Sequence, residues 1–308
     1  MTSRGIFSES ARLLLRHQRI VWWLFFVGLV LAGLGSIPTR VAVGSVLNHS
    51  MAAGHLVEGF DAPAFTELLA MPEVPLPALV SAAVAPTVVY AVFLLFVMGG
   101  ILSVYREDRK LSKAEFFENS GAWFWRMVRT MLISLIPFGM VAILFSIVRR
   151  VSDRLVESPS ERLSWFVLWG GALVVGLIAL WVRTWFDLAQ ARAVARNERG
   201  MIRNALEAVR LVSAKLYGTY VGITAIRIAL VLAGLWLWSL VPHAATTVSF
   251  LVLQAVILVH IALRLWQRAA SVAWYERYGP PLFVPAPASA AAQPILEPAR
   301  PEQSPIQQ

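Results

Sequence analysis

The stretch "YVGITAIRIALVLAGLWLW", from Tyr220 to Trp238, is almost entirely apolar and contains a single charged residue, Arg227. A helix needs about 20 apolar residues to cross the hydrocarbon layer of a bilayer, so the stretch predicts a membrane-spanning helix. An arginine inside that layer costs at least about 2.5 kcal/mol on insertion scales. We therefore expect Arg227 to face protein or water, and not lipid.

Other runs of the same kind occur along the chain, which is 58% hydrophobic and 15% charged. Soluble domains carry about 25% charged residues. The sequence predicts an all-α fold: a polytopic membrane protein with a six-transmembrane-helix bundle in residues 1–278. The spans are expected at about Ile20–Ile37, Leu79–Tyr105, Met127–Val148, Trp165–Trp185, Gly218–Leu240 and Thr246–Trp266. A cleaved signal peptide is the alternative for the first run, but no convincing cleavage site follows it.

Basic residues set the expected orientation. Most of the 27 Lys and Arg residues lie next to the span ends that share a side with both termini. Loops rich in Lys and Arg stay in the cytoplasm, so both termini are predicted to be cytoplasmic. The net charge of +9 then reflects membrane topology, and we expect no nucleic-acid partner.

Two cytoplasmic segments have amphipathic helical patterns. "LSKAEFFENSG" (111–121) contains a capping box, Ser112 with Glu115, which predicts the start of a short helix. "MIRNALEAVRLVSAKL" (201–216) predicts a second helix that lies along the inner leaflet or docks on the bundle. Its expected apolar face is Ile202, Ala205, Leu206, Val209 and Val212, opposite Arg203, Glu207 and Arg210.

The remaining segments carry weaker patterns. "DAPAFTELLA" (61–70) predicts a short amphipathic helix in an outer loop, and residues 279–308 are Pro/Ala-rich and predict a disordered tail. His49, His55, Glu58 and Asp61 are of zinc-ligand type, but their spacing matches no zinc motif and indicates solvated loop residues. Gly99-Gly100 lacks a following Lys-Ser/Thr and predicts close helix packing or a kink. No metal or cofactor is expected.

Three stretches resemble a known family: "HLVEGFDAPAFTELL" (55–69), "FVMGGILSVYREDRKLSKAEFFENSGAWFWRMVR" (96–129) and "RTWFDLAQARAVARNERGMIRNALEAVRLV" (183–212). Together they look like a family of uncharacterised bacterial six-helix inner-membrane proteins. They are more faintly similar to the membrane domain that accompanies some glycerophosphodiester phosphodiesterases, whose catalytic domain has no counterpart in this sequence. The resemblance implies a location in the bacterial inner membrane. It implies no activity and no functional residues.

Arg227 is the centre of the candidate polar site. It is expected about 10–15 Å below the inner boundary, at about 1.5 Å per residue, on one helix face with Tyr220 and Thr224. Asp187 is its expected counter-ion and His260 a second neighbour. Three alternatives stay open: a contact that only pins the helices, a cytoplasm-facing pocket for an anionic ligand such as a lipid head group, or an arginine that snorkels to the interface.

Three classes of function remain. The sequence favours a non-enzymatic accessory or lipid-interacting membrane protein, whose partners are the bilayer and anionic lipid head groups on the cytoplasmic side. A small-molecule or ion transporter would predict broken spans, and only Pro86 and Pro137 interrupt the spans. A membrane enzyme acting on lipids would need clustered acids or histidines. Glu107, Asp108, Glu115 and Glu118 alternate with basic residues and indicate a solvated surface.

Overall fold

The computed structural model describes residues 5–47, 76–156, 161–240 and 246–280, and all of the regular structure in these ranges is α-helical. The helices are α1 (Ile6–Arg16), α2 (Arg19–Leu47), α3 (Leu76–Glu107), α4 (Lys113–Val156), α5 (Glu161–Arg196), α6 (Met201–Val209), α7 (Ala214–Ser239) and α8 (Thr246–Tyr278). The predicted outer-loop helix, the four zinc-type residues and the predicted tail from residue 281 onward lie outside the described residues.

Six of these helices, α2, α3, α4, α5, α7 and α8, are long and apolar enough to cross a membrane. This confirms the prediction of an all-α polytopic bundle with six spans. The capping box also forms, because the Ser112 backbone N–H donates to Glu115 at 2.8 Å and the Glu115 N–H donates to the Ser112 hydroxyl at 3.2 Å. The expected short helix is wrong, however. The cap begins α4, whose 44 residues continue without a break into the span.

The charged termini of several helices lie together on one side of the bundle, and we call this side the polar end. Ion pairs and hydrogen bonds cross it between α1 and α8, between α3 and α8, and between α4 and the end of α5: Arg277–Glu9 at 3.6 Å, Arg106–Glu276 at 3.6 Å and Arg126–Asn197 at 2.6 Å. A buried core lies beneath this network and includes Leu14, Val21, Ile101, Met127 and Leu265. The polar end therefore fixes the relative positions of the helices.

Away from the polar end the apolar faces are mostly exposed. In α4 the most apolar stretch contains no buried residue, and Ile136, Met140 and Ile143 all lie on its surface. Contiguous apolar surface of this extent is typical of contact with lipid. Lipid removes the hydrophobic drive between helices, so the spans need little mutual burial.

Helix α1 is amphipathic and was not predicted. Ile6, Ser10 and Leu14 share its buried face, and the Trp266 indole N–H donates to the Ser10 hydroxyl at 2.9 Å. The spacing i, i+4, i+8 of these residues was a usable signal. A serine at its centre weakens the apolar periodicity, and that explains why the helix is hard to recognise.

Helix α6 docks on the bundle, which is one of the two predicted placements, but only part of the predicted apolar face is buried. Asn204, Ala205 and Ala208 are buried, whereas Ile202 is 67% exposed and Leu206 is 60% exposed. The Asn204 amide donates to the Ala189 carbonyl at 2.7 Å, so a polar contact selects the docking face. The helix also ends earlier than expected, at Val209. Ser213 caps the next helix, because its hydroxyl accepts from the Leu216 N–H.

The glycine pair in α3 permits a close approach to α4. A Cβ atom at Gly100 would lie 2.9 Å from the Phe116 carbonyl oxygen and would also strike the Ser120 hydroxyl. Helix α3 runs through both glycines from Leu76 to Glu107. Close packing is therefore the alternative that fits the Gly99-Gly100 pair.

We expect Gly100→Ala to destabilise the protein by about 1–3 kcal/mol, because the methyl group meets a backbone atom that cannot move freely. Unfolding of the detergent-solubilised protein by sodium dodecyl sulfate measures the change. Gly121→Ala on α4 is the matched control, since a Cβ there meets nothing within 4 Å. It should be neutral or stabilising by up to about 1 kcal/mol. Equal effects at both positions would contradict the close-contact explanation.

Candidate functional site

Four arginines on three helices form a group that we call the arginine cluster: Arg183 on α5, Arg227 on α7, and Arg264 and Arg268 on α8. Arg183 and Arg264 lie within electrostatic range of both Arg227 and Arg268. Among the described residues, Asp187 is the only carboxylate that acts on Arg183, Arg264 and Arg268, and none acts on Arg227. The cluster therefore has a large excess of positive charge within spanning helices.

Asp187 is buried and held by two contacts. The Tyr220 hydroxyl donates to its Oδ2 at 3.0 Å, and the Arg183 Nε lies 3.7 Å from the same oxygen. Ser271 on α8 lies 2.6 Å from the Tyr220 hydroxyl. Because the tyrosine proton is directed at the carboxylate, Ser271 donates to the tyrosine oxygen. This chain of hydrogen bonds joins α5, α7 and α8 at the base of the cluster.

The expected Arg227–Asp187 ion pair is wrong: no ion pair or hydrogen bond connects these two described residues. Arg183 precedes Asp187 by one helical turn and occupies the position beside the carboxylate. Tyr220 reaches the same carboxylate from α7, at a level nearer the start of that helix than Arg227. Arg227 itself is half-buried, and its electrostatic neighbours are other arginines.

The structure places the other predicted residues around this cluster. His260 is exposed on α8 and lies within electrostatic range of Arg227, Arg264 and Arg183. Thr224 accepts a hydrogen bond from the Gln267 amide at 2.9 Å, so it contributes to the contact between α7 and α8. Tyr220 is fully buried and is bonded to Asp187. The predicted residues are therefore gathered at the junction of α5, α7 and α8.

Several polar atoms of the cluster have no hydrogen-bond partner among the described residues. They are the Arg183 Nη2, the Arg268 Nε and the Gln267 Oε1. The Arg268 Nη1 contacts only a soft acceptor, the Met98 sulfur on α3. Buried polar groups are normally paired, and guanidinium N–H groups bind carboxylate or phosphate oxygens best. The unpaired N–H groups of Arg183 and Arg268 suit the binding of an anion, whereas the Gln267 Oε1 is an acceptor and needs a donor.

Sequence reasoning missed the roles of Arg183, Arg268 and Ser271. From their positions at span ends, Arg183 and Arg268 are expected to be topological charges. The i, i+4 spacing of Arg183 and Asp187, and that of Arg264 and Arg268, was the available signal.

A metal centre finds no support in the part of the chain that the structure describes, because no group of three His, Asp or Glu side chains there is placed to hold an ion. Acidic side chains near the polar end are engaged by basic ones: Asp108 by Arg16 and His17, Glu107 and Glu115 by Arg109. Comparison with protein-family models, with curated proteins and with solved structures returned no match.

Proposed function

We propose that this chain is a non-enzymatic integral protein of the bacterial inner membrane that binds the phosphate of an anionic phospholipid at the arginine cluster. The observation that carries the proposal is the imbalance of charge. One carboxylate, Asp187, acts on Arg183, Arg264 and Arg268, and the charged neighbours of Arg227 in the described part of the chain are arginines. Uncompensated guanidinium groups in a low-dielectric environment are costly, and a phosphate offsets that cost with charge-assisted hydrogen bonds.

The arginine cluster is accessible from the exposed surface of α7 and α8. The character of this surface favours a lipid over a soluble anion. His260 and Arg264 are exposed on α8, and the apolar side chains of Ile257 and Ile228 are exposed nearby on α8 and α7. A ligand that reaches this surface therefore has to tolerate an apolar surrounding. A phospholipid does so, because its acyl chains stay in the bilayer while its phosphate meets the arginines.

The location rests on the sequence. The family resemblance favours the bacterial inner membrane, and the distribution of Lys and Arg favours a cytoplasmic polar end with both termini on that side. The arginine cluster then lies in the cytoplasmic half of the bilayer, where an anionic head group is available from the inner leaflet.

The two alternative functions have less support. Helices α3 and α4 run without interruption through Pro86 and Pro137, so neither proline creates the paired half-helices expected of many transporters. A lipid-processing enzyme would require clustered free acids or histidines at one boundary. Glu107, Asp108 and Glu115 are held in ion pairs, which leaves Glu118 as the one of these four acids without an ion pair in the described part of the chain.

Arg227→Leu tests the proposal. We expect its affinity for phosphatidylglycerol to fall at least about tenfold, because a charge-assisted hydrogen bond contributes about 1.5–3 kcal/mol and about 1.4 kcal/mol corresponds to a tenfold change. The stability of the lipid-free protein should be unchanged or higher, since the described charges that act on Arg227 are those of Arg183 and Arg264. Native mass spectrometry of the full chain with added lipid measures the affinity.

Arg150→Leu is the control, because it removes one exposed arginine from the opposite end of α4. It should leave the affinity for phosphatidylglycerol unchanged. The proposal fails if folded Arg227→Leu binds phosphatidylglycerol as tightly as the wild type. It also fails if the wild type binds phosphatidylcholine equally well at this site. The site would then not distinguish an anionic head group from one with no net charge.

A further inference from the structure

A second site lies at the polar end, away from the arginine cluster. A cavity of about 460 Å³ opens between the corner that joins α1 to α2 and the corner that joins α3 to α4. We call it the corner cavity. Its volume falls within the range of about 300–1,000 Å³ that is typical of ligand sites. Neither corner contributes to the arginine cluster, which α5, α7 and α8 form.

The corner cavity has an apolar floor and a basic rim. Aromatic and aliphatic side chains form the floor, among them Trp23, Leu24, Phe93, Phe116 and Phe117. The charged residues of the rim are all basic: Arg16, Arg19, Lys110 and Lys113. No acidic residue lines the cavity.

Local contacts fix the shape of the rim. Arg16 and His17 both bind the Asp108 carboxylate, and this ties the α1–α2 corner to the end of α3. Asp108 has a φ of 45°, a left-handed conformation that Asp tolerates better than most residues. The chain therefore turns sharply after α3, and Lys110 comes to lie on the cavity wall.

The charge on the rim is only partly neutralised. Asp108 compensates Arg16, but Arg19, Lys110 and Lys113 form no ion pair within the described part of the chain. Three uncompensated cations above an aromatic floor are complementary to an amphiphile with a negative head and an apolar body.

The position of the corner cavity identifies the source of that amphiphile. Arg19 begins the α2 span, and Trp23 follows it by one turn with 52% of its surface exposed. Phe117 on α4 is also exposed, and its ring lies 6.4 Å from that of Trp23. The cavity thus opens where basic residues give way to apolar span, which is the level of phospholipid head groups.

We propose that the corner cavity binds one anionic phospholipid of the leaflet at the polar end. Arg19, Lys110 and Lys113 hold its phosphate, and the first part of an acyl chain lies against Trp23, Phe93 and Phe117. This site is independent of the lipid site at the arginine cluster. The full chain should therefore bind two anionic lipids, one at each site.

The test compares Lys110→Gln/Lys113→Gln with the wild type by native mass spectrometry in the presence of phosphatidylglycerol. We expect the double variant to lose one of two tightly bound lipids, whereas Arg227→Leu loses the other. Lys215→Gln, which removes an exposed lysine from the first turn of α7, is the matched control and should keep both. Loss of neither lipid in the double variant would overturn the corner site, whatever Arg227→Leu does.

A second measurement avoids substitutions. Lysine acetylation of the wild type in nanodiscs is compared between phosphatidylglycerol and phosphatidylcholine bilayers, with Lys215 as the internal reference. We expect Lys110 and Lys113 to be protected at least about fivefold more than Lys215 in phosphatidylglycerol, because a bound phosphate holds both ammonium groups charged. Equal protection of the three lysines would contradict the proposal. Glycerol 3-phosphate, which has the phosphate but no acyl chain, is added to the phosphatidylcholine sample. If it protects Lys110 and Lys113 as strongly as phosphatidylglycerol does, the role of the acyl chain is overturned.

Discussion

Asp187→Ala is expected to destabilise the folded protein by about 3–5 kcal/mol, the range measured when one partner of a buried ion pair is removed. Asp187 is 7% exposed, and its charge acts favourably on Arg264 and Arg268 as well as on Arg183. Without it these arginines repel one another with no carboxylate among them. The Tyr220 hydroxyl also loses its acceptor.

The chain offers a close control for Asp187→Ala. Arg149 and Asp153 form an ion pair with the same i, i+4 spacing, at 3.9 Å compared with 3.7 Å for Arg183 and Asp187. The Asp153 side chain is 68% exposed, whereas that of Asp187 is 9% exposed. Exposed pairs contribute about 0–1 kcal/mol, so Asp153→Ala should change stability little. Similar losses in the two variants, in a sodium dodecyl sulfate titration, would contradict the role assigned to burial.

Asp187→Asn separates the charge from the hydrogen bond. The amide oxygen still accepts from Tyr220, so any remaining loss reports the missing negative charge. Phosphatidylglycerol should restore part of the stability of both Asp187 variants if a lipid phosphate compensates the arginines, because a ligand that binds only the folded state stabilises it. Equal recovery with phosphatidylcholine would argue against the lipid phosphate.

The spans could be predicted from sequence because they depend on a one-dimensional property. A run of about 20 apolar residues crosses a bilayer wherever its neighbours lie. The cap at Ser112 is local in the same sense, because its donors and acceptors are within three residues. Neither prediction needs the relative rotation or depth of two helices.

The partner of Arg227 depends on both of those quantities. The sequence places Asp187 and Arg227 near one boundary. Only the packing of α5 on α7 shows that Tyr220, and not Arg227, contacts the carboxylate. Arg183 is then close enough to take the place of Arg227. The packing of α5 against α7 therefore decides which residues pair with Asp187.

Helix α6 shows a second limit, because a polar contact and not the apolar pattern alone selects its docked face. In a soluble protein the apolar face of a helix points to the core. Beside a bilayer, apolar side chains are also stable outside, and polar contacts can select the docked face. Ile202 and Leu206 therefore lie exposed while Asn204 is buried. The hydrophobic pattern was real, but part of it marks the exposed side of the helix.

The contact between α5 and α6 should depend strongly on Arg192, and we expect Arg192→Met to cost about 3 kcal/mol. The Arg192 Nη1 donates to the Asn204 side-chain oxygen at 2.8 Å and to the Asn204 carbonyl at 3.3 Å. Both acceptors belong to a residue that is 1% exposed. Each buried acceptor left without a donor costs about 1–3 kcal/mol, and methionine fills the space without donating.

Arg203→Met is the matched control, because Arg203 and Arg192 bind the same carboxylate, that of Glu207. The hydrogen bond from Arg203 lowers the pKa of Glu207, because it stabilises the ionised carboxylate that Arg192 also contacts. The Arg203 side chain is 83% exposed and that of Arg192 is 2% exposed. Arg203→Met should therefore leave α6 docked.

Hydrogen exchange of residues 201–209 separates the two variants. In Arg192→Met we expect exchange of these amides to accelerate, relative to the wild type, more than exchange of the α7 amides. The lost contact acts first on a nine-residue helix that is held by few buried contacts. In Arg203→Met they should exchange as in the wild type. Equal acceleration in both variants would mean that the charge of Glu207, and not the burial of Arg192 with Asn204, holds α6. The buried contact between Arg192 and Asn204 would then not be what holds α6 against α5.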